Sequence, residues 1–245
     1  MRSIIRLLKK KMLNIDLHRN MEISILKAIY ADPFLRNILG FKEGTAAMLF
    51  YDLPRFSVDL DFNLLDENKQ YEVFEKIKKL LLNFGVLDDA SDKKNTLFFL
   101  LTYQKGERKL KIEISKRPLQ FVYLPKNYLG ISMLAMQEKD MLPAKLSALL
   151  TRRKFAARDM YDLWFFLKNN WPINENILKQ NTDLSVKEAF MEAQKKIAAV
   201  KKSEMLSGIG DLLDNKQKSW VKEKLRDELI FQLKLHSQNY QNKSD

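Results

Sequence analysis

The chain has 245 residues, 46% of them hydrophobic, no cysteine and a formal net charge of +12. This composition predicts a folded protein with a sizeable core. It excludes a disulfide framework, a thiol nucleophile and a membrane-spanning helix, since no apolar run approaches about eighteen residues. The positive charge is typical of proteins that bind phosphate groups, although a lysine-rich solvated surface accounts for it equally well.

The beginning of the chain predicts two helices. Residues 1–20 carry six basic side chains against Asp16 alone. Residues 1–17 are amphipathic and lack the continuous apolar core and cleavage site of a secretory signal, so they predict a first helix in a cytoplasmic protein. A second helix is predicted at 19–31, ending before Asp32-Pro33 because the residue before a proline avoids the helical conformation.

The middle of the chain predicts an alternation of strands and helices. Period-two stretches indicate strands and period-3.6 stretches indicate helices. The predicted elements are a strand at 38–42, a turn at 43–45, a helix at 46–51, a strand at 57–63, a helix at 69–84 and strands at 96–103 and 109–115, joined by a hairpin turn at 104–107.

From about residue 137 the pattern is helical, with helices predicted at 142–153, 159–168, 174–180, 185–201 and 218–235. The chain is therefore predicted to be α+β, with an α/β core and N-terminal helices at 1–130, a helical domain at 131–245 and the boundary near 125–135. Leu225, Leu229 and Leu233 form a row on the last helix, which is open to packing within the chain or across an interface.

The strongest chemical signal is a pair of carboxylates, Asp59 and Asp61, one residue apart on a predicted strand. Side chains alternate along a strand, so both point to one face roughly 7 Å apart, close enough to share divalent ions. Glu113 lies in the same phase of another strand and would complete a three-carboxylate site if the two strands pair. Oxygen ligands favour Mg²⁺ or Mn²⁺.

Two further segments predict anion contacts. The turn with Gly44 and Thr45 leads from a strand into a helix, which aims backbone N–H groups at a triphosphate, and Arg55 and Ser57 would add a charged fork and a hydroxyl. An ordinary strand-to-helix turn explains this segment equally well.

A third segment combines Lys145 with Arg158, Asp159 and Asp162. Asp159 and Asp162 share a helix face, and Arg158 is expected to pair with Asp159 at the helix start. The lysine beside them would make an anion site.

Taken together, four segments closely resemble the AbiEii/AbiGii nucleotidyltransferase toxins of bacterial abortive-infection toxin–antitoxin systems. The segments are Lys42-Glu43-Gly44-Thr45-Ala46, Arg55-Phe56-Ser57-Val58-Asp59-Leu60-Asp61-Phe62, Lys111-Ile112-Glu113 and Lys145 with Arg158-Asp159-x-x-Asp162-Leu163. The resemblance implies a polymerase-β-like nucleotidyltransferase core with a C-terminal helical domain.

The resemblance also implies roles for individual residues. Asp59 and Asp61 would bind the catalytic metal ions with help from Glu113. In the family, a lysine and an Arg-Asp-x-x-Asp segment contribute to nucleotide binding and catalysis. The resemblance therefore implies these roles for Lys145, Arg158, Asp159 and Asp162. We hypothesise that Asp162 orients the acceptor or the ribose.

One departure concerns the glycine turn. The family usually has two glycines before the threonine, whereas this chain has Glu43 in place of the first. A carboxylate beside a bound triphosphate would repel it unless Glu43 turns away or meets a cation.

The function that follows is metal-dependent transfer of a nucleoside monophosphate from an NTP to an RNA, with tRNA as the expected acceptor class and the basic stretches 1–20 and 152–154 as contacts to its backbone. The resemblance further implies a cognate antitoxin of the winged-helix type. Two alternatives stay open: a non-catalytic binding module, and a phosphotransferase that moves the γ phosphate on the same fold.

Overall fold

The computed structural model describes residues 13–118, 121–152 and 155–241. Within them lies one mixed sheet formed by seven strands. The strands are β1 (Leu39–Lys42), β2 (Asp59–Leu64), β3 (Val86–Lys93), β4 (Thr96–Thr102), β5 (Leu110–Ser115), β6 (Tyr123–Tyr128) and β7 (Ile131–Met136).

The α-helices lie mostly before β3 and after β7. They are α1 (Ile15–Ala31), α2 (Leu35–Ile38), α3 (Glu43–Phe50), α4 (Gln70–Leu81), α5 (Glu138–Thr151), α6 (Ala157–Lys168), α7 (Glu175–Thr182), α8 (Val186–Ala198), α9 (Asn215–Glu223) and α10 (Leu225–Gln241). None of the helices in the described part of the chain combines the length and apolar character needed to cross a bilayer.

The strand order is β3-β4-β5-β2-β1-β7-β6. The pairs β2 with β5 and β1 with β7 are parallel, and the other neighbours are antiparallel. This order places the two polar-faced strands, β2 and β5, side by side near the middle of the sheet.

The strand alternation divides the sheet into an apolar and a polar face. Leu60 on β2 lies opposite Ile112 on β5, and Ile112 lies opposite Phe99 on β4, so all three share one face. They are fully buried, and Phe74 of α4 stacks on Phe99 with ring centroids 5.2 Å apart. The other face carries the polar residues of β2 and β5.

The helices after β7 pack against one another and close the molecule on the polar side. Leu225, Leu229 and Leu233 of α10 are fully buried, and α10 packs on α6 and α8. The leucine row therefore packs within the chain. One continuous apolar core runs from the sheet into these helices.

The α+β class is confirmed, and the predicted strands at 38–42, 57–63, 96–103 and 109–115 coincide with β1, β2, β4 and β5. Two differences concern the sheet. The acidic segment 86–93 is the edge strand β3, and the region where a domain boundary was expected contains β6 and β7, so the sheet extends to Met136. The division into 1–130 and 131–245 stays a prediction.

Three further sequence predictions end differently. The turn expected at 43–45 is the first turn of α3, which begins at Glu43 directly after β1. The single helix expected at 218–235 is two helices, α9 and α10, separated at Lys224. The helix expected at 1–17 falls largely outside the described residues, as do two of the three basic residues at 152–154.

Candidate active site

The three predicted carboxylates come together on the polar face of the sheet. In the parallel pairing of β2 and β5, Asp61 lies directly opposite Glu113, and Asp59 lies opposite Lys111. Neighbouring residues in register point to the same face, so Asp59, Asp61 and Glu113 share it. The shared face expected from the sequence is therefore present, although the three side chains do not stand close enough together to hold one ion.

Two basic side chains contact these carboxylates. The Nζ of Lys111 lies 3.2 Å from Asp59 Oδ2 and 3.2 Å from Glu113 Oε2, so one ammonium group bridges the two strands. Arg158 Nη1 lies 3.4 Å from the same oxygen of Asp59. The expected pairing of Arg158 with Asp159 is thus replaced by a contact from α6 to β2.

Asp61 has an unusual protonation equilibrium. Burial, and next the negative charge of Glu43, raise the pKa of Asp61 to about 7. The carboxyl group is therefore partly protonated near neutrality in the absence of a further positive charge. A bound cation would favour its ionised form.

The first residue of α3, Glu43, directly follows β1 and has a strained backbone, with a φ of +63°. That conformation costs a residue with a side chain on the order of 1 kcal/mol, which is the reason a glycine is expected there. The Glu43 carboxylate meets a cation, Lys145, with Oε2 and Nζ 2.7 Å apart. Lys145 holds the pKa of Glu43 far below its usual value.

The next two residues of α3 serve packing. A Cβ atom at Gly44 would lie 2.5 Å from the Arg55 guanidinium and 2.8 Å from Ser57 Oγ, so only glycine fits. The Thr45 hydroxyl donates to the carbonyl oxygen of Asp59 at 2.5 Å. Thr45 thereby fixes the start of β2, and its hydroxyl is occupied by that bond.

Lys145 of α5 is the centre of a buried ionic network. Its Nζ also lies 3.3 Å from Asp159 Oδ1 and 3.2 Å from Asp162 Oδ2. Arg55 forms a bidentate ion pair with Asp162, in which Nε donates to Oδ1 at 2.5 Å and Nη2 donates to Oδ2 at 2.7 Å. Arg152 Nη1 reaches Asp159 Oδ2 at 2.9 Å.

The carboxylate of Asp162 lies at the bottom of this network. Its side chain is fully buried. Burial alone would raise the pKa of Asp162, but Arg55 and Lys145 outweigh it, so the pKa is lowered. Asp162 is thus placed to hold Arg55 and Lys145, and a ligand in the cleft above would meet those cations first.

A cleft of about 740 Å³ opens in front of the carboxylates. Its walls come from the sheet, from the start of α3 and from α5, α6 and α7. The charged and polar residues that line it are Lys42, Glu43, Gly44, Arg55, Ser57, Asp59, Asp61, Thr96, Lys111, Glu113, Ser115, Arg117, Lys145, Ser147, Thr151, Arg152, Arg158, Gln180 and Asn181.

Most site residues predicted from the sequence therefore line one cleft. The exceptions are Thr45, Asp159 and Asp162, which lie behind the cleft wall and contact residues that line it. The sequence reasoning missed Lys42, Lys111 and Arg117 as candidate phosphate contacts. Lys111 was detectable, since it shares the alternating phase of Glu113, whereas Arg117 follows the end of β5, where no periodicity marks it.

The donor set fits a hard divalent cation, because three carboxylates face one another from adjacent strands and a cation would offset the raised pKa of Asp61. Among the residues that the structure describes, no three acidic or histidine side chains already stand close enough together to hold a metal ion. Lys111 lies between two of the carboxylates.

Comparison with known protein families identifies one whose model matches this chain. A family model described as the nucleotidyl transferase AbiEii toxin of type IV toxin–antitoxin systems matches residues 24–234. No protein of curated function matches the sequence.

Solved structures share the fold. A proposed nucleotidyltransferase from H. pylori superposes with a TM-score of 0.63 at 20% identity, covering 93% of this chain and 96% of its own. The JHP933 protein from Helicobacter pylori gives a TM-score of 0.55 at 20% identity, covering 94% and 98%.

Proposed function

Because the chain belongs to the AbiEii nucleotidyl transferase toxin family of type IV toxin–antitoxin systems, it is a nucleotidyltransferase, and we propose that it moves a nucleoside monophosphate from an NTP onto an RNA of the tRNA class with the help of Mg²⁺ or Mn²⁺. The observation that carries this proposal is the register of β2 and β5. It brings Asp61 beside Glu113, two residues from Asp59, at the base of a cation-lined cleft.

The cleft suits a nucleoside triphosphate in size and charge. Its volume of about 740 Å³ lies within the range of roughly 300–1,000 Å³ typical of ligand sites. Lys42 and Arg117 form no ion pair among the described residues, so they are available to the β and γ phosphates. The Ser57 hydroxyl and Arg158 line the same wall.

Asp59, Asp61 and Glu113 would hold the divalent cation. When bound, it supplies the charge that lowers the pKa of the acceptor hydroxyl and neutralises the leaving pyrophosphate. The residues of the chain hold the α phosphorus in line with the acceptor oxygen. The acceptor oxygen would form a bond to that phosphorus and release its proton to water, while the bond from the phosphorus to the oxygen bridging the α and β phosphates breaks and pyrophosphate leaves. Positioning and charge neutralisation then account for most of the catalysis.

The proposal of an RNA acceptor rests on the net charge of the chain. A formal net charge of +12 favours a polyanion over a small neutral acceptor. Membership of a toxin–antitoxin family implies an antitoxin partner, and we propose a winged-helix protein in that role.

The test is incubation of the protein with each α-labelled NTP, Mg²⁺ and total tRNA, followed by a denaturing gel. Label should move onto tRNA from an α-labelled donor and should not move from the γ-labelled form of the same NTP. Transfer from the γ position would show a phosphotransferase instead.

Asp61→Asn should abolish transfer, because the variant loses a proposed cation ligand from the centre of the site. Asp92→Asn is the matched control, since Asp92 lies on the edge strand β3 and pairs with Lys116 away from the cleft. Circular dichroism should be unchanged in both variants. Full transfer by Asp61→Asn would reject the assignment.

A further inference from the structure

The ammonium group of Lys111 occupies the position between two carboxylates that the proposed function assigns to a cation. Its Nζ lies 3.2 Å from both Asp59 Oδ2 and Glu113 Oε2. The backbone register brings these groups within reach of one another, because Lys111 lies opposite Asp59 and two residues before Glu113 on the same face. The ammonium group of Lys111 thus already neutralises part of the acidic site, together with Arg158, whose Nη1 lies 3.4 Å from Asp59 Oδ2.

A divalent cation and this ammonium group cannot share the carboxylates. Two positive charges about 4 Å apart repel strongly in a site partly screened from water. The Lys111 side chain is still 27% exposed and lies in the wall of the cleft, so its flexible stem has open space to move into. Lys145, by contrast, is held by three carboxylates and is almost fully buried.

We propose that Lys111 is a stand-in cation: it holds Asp59 and Glu113 in the free protein, leaves them when a divalent cation binds, and then contacts the phosphates of the NTP. This inference rests on the proposed function. It assigns Lys111 two successive partners, both anionic, within one cleft. The same residue should therefore weaken cation binding and strengthen nucleotide binding.

The first measurement is the affinity of the nucleotide-free protein for Mn²⁺ by calorimetry. Lys111→Gln should bind Mn²⁺ at least about tenfold more tightly than the wild type, because a competing positive charge is gone. Lys111→Arg keeps the charge and should not show this gain. Lys109→Gln is the matched control, since Lys109 pairs with Asp88 outside the cleft and is nearly half exposed.

The second measurement is the affinity for non-hydrolysable α,β-methylene analogues of the four NTPs in the presence of Mg²⁺. Lys111→Gln should bind the preferred analogue about tenfold more weakly, because a phosphate contact is lost. Lys109→Gln should bind it like the wild type.

The outcomes separate this inference from the proposed function. If the wild type binds Mn²⁺ through Asp61, shown by loss of binding in Asp61→Asn, and Lys111→Gln binds Mn²⁺ no more tightly, the stand-in role is wrong and the metal site stands. If Lys111→Gln binds the NTP analogue as tightly as the wild type, the proposed contact of Lys111 with the phosphates is wrong. If neither wild type nor Lys111→Gln binds Mn²⁺, both the inference and the metal-dependent mechanism fail.

Discussion

At the scale of single residues, an ionic network of three positive and three negative side chains holds the residues that line the cleft. Lys145, Arg55 and Arg152 face Glu43, Asp159 and Asp162. Four of these side chains, Arg55, Lys145, Asp159 and Asp162, are buried, and buried charges are retained only when each has a partner with good geometry. The network thereby fixes the positions of the cations that line the cleft.

Asp162 should matter for stability as much as for activity. Asp162→Asn removes the partner of the Arg55 fork and one partner of Lys145, leaving buried positive charge uncompensated. The free energy of unfolding should fall by about 3–5 kcal/mol, the usual effect of breaking a buried ion pair. Urea denaturation followed by circular dichroism measures it.

The control for that experiment is Asp227→Asn. Asp227 pairs with Arg226 on the surface, and its side chain is 71% exposed. This variant should lose less than about 0.5 kcal/mol. Wild-type stability in Asp162→Asn would mean that Asp162 is free to serve a ligand, as the sequence resemblance implied.

Although Glu43 meets a cation, it should still weaken nucleotide binding in this chain, because it occupies Lys145, whose charge would otherwise act on the phosphates. Its carboxylate lines the cleft and takes one side of Lys145. Glu43→Gln removes the charge without changing the length of the side chain, and we expect it to bind an α,β-methylene NTP analogue with Mg²⁺ roughly tenfold more tightly.

Glu43→Gly separates charge from backbone strain. It should bind the analogue as tightly as Glu43→Gln and should also lose the strain at φ +63°. Fluorescence titration gives the affinities. Weaker binding by both variants would mean that Glu43 holds Lys145 in a position the nucleotide needs.

At the scale of secondary-structure elements, the sequence revealed strands whose two faces differ. β2 and β5 alternate between core residues such as Leu60 and Ile112 and site residues such as Asp61 and Glu113, so both their conformation and their chemistry were predictable. The site was predictable because the acidic residues occupy alternate positions, on the polar face, in both strands.

The edge strands lacked such a signal. β3 exposes half of its residues, buries none fully and contains three aspartates, and charges of this kind keep an edge from further pairing. β6 contains Pro125, which is tolerated because that strand lies at the other edge. The register that joins β2 with β5 and the bridging contact of Lys111 depend on tertiary packing, which periodicity along the chain does not encode.

Helix α10 should anchor the helical part of the molecule through its leucine row. Leu229 is fully buried between α10 and its neighbours α6 and α8. Leu229→Ala should lower the free energy of unfolding by about 2–5 kcal/mol, because it leaves a cavity. The midpoint of urea denaturation measures the loss.

Leu235 on the same helix provides the control. It is 42% exposed, so Leu235→Ala removes little buried surface and should cost under about 1 kcal/mol. Equal losses in the two variants would show that helix propensity, and not burial, sets the stability of α10.

At the scale of the whole molecule, ion pairs join the helices after β7 to α3, to β2 and to the segment between them, on both sides of the cleft. Lys145 contacts Glu43, Arg55 contacts Asp162 and Arg158 contacts Asp59. Sheet and helices also share one apolar core. We therefore propose that the two parts unfold together, and that substrate binds between them.

The charge of the whole molecule leads to a prediction about the acceptor. If the protein binds tRNA, its phosphate contacts release counterions, and a plot of log affinity against log salt should have a slope of about −4 or steeper. The measurement is filter binding of labelled tRNA between 50 and 200 mM KCl, concentrations over which such a slope lowers affinity by roughly two orders of magnitude or more. A peptide nucleic acid of the same sequence as the acceptor stem keeps the bases without the phosphates and should not bind. A flat salt dependence with tight binding would contradict an RNA acceptor, because a chain with a net charge of +12 cannot engage a polyanion without displacing its counterions.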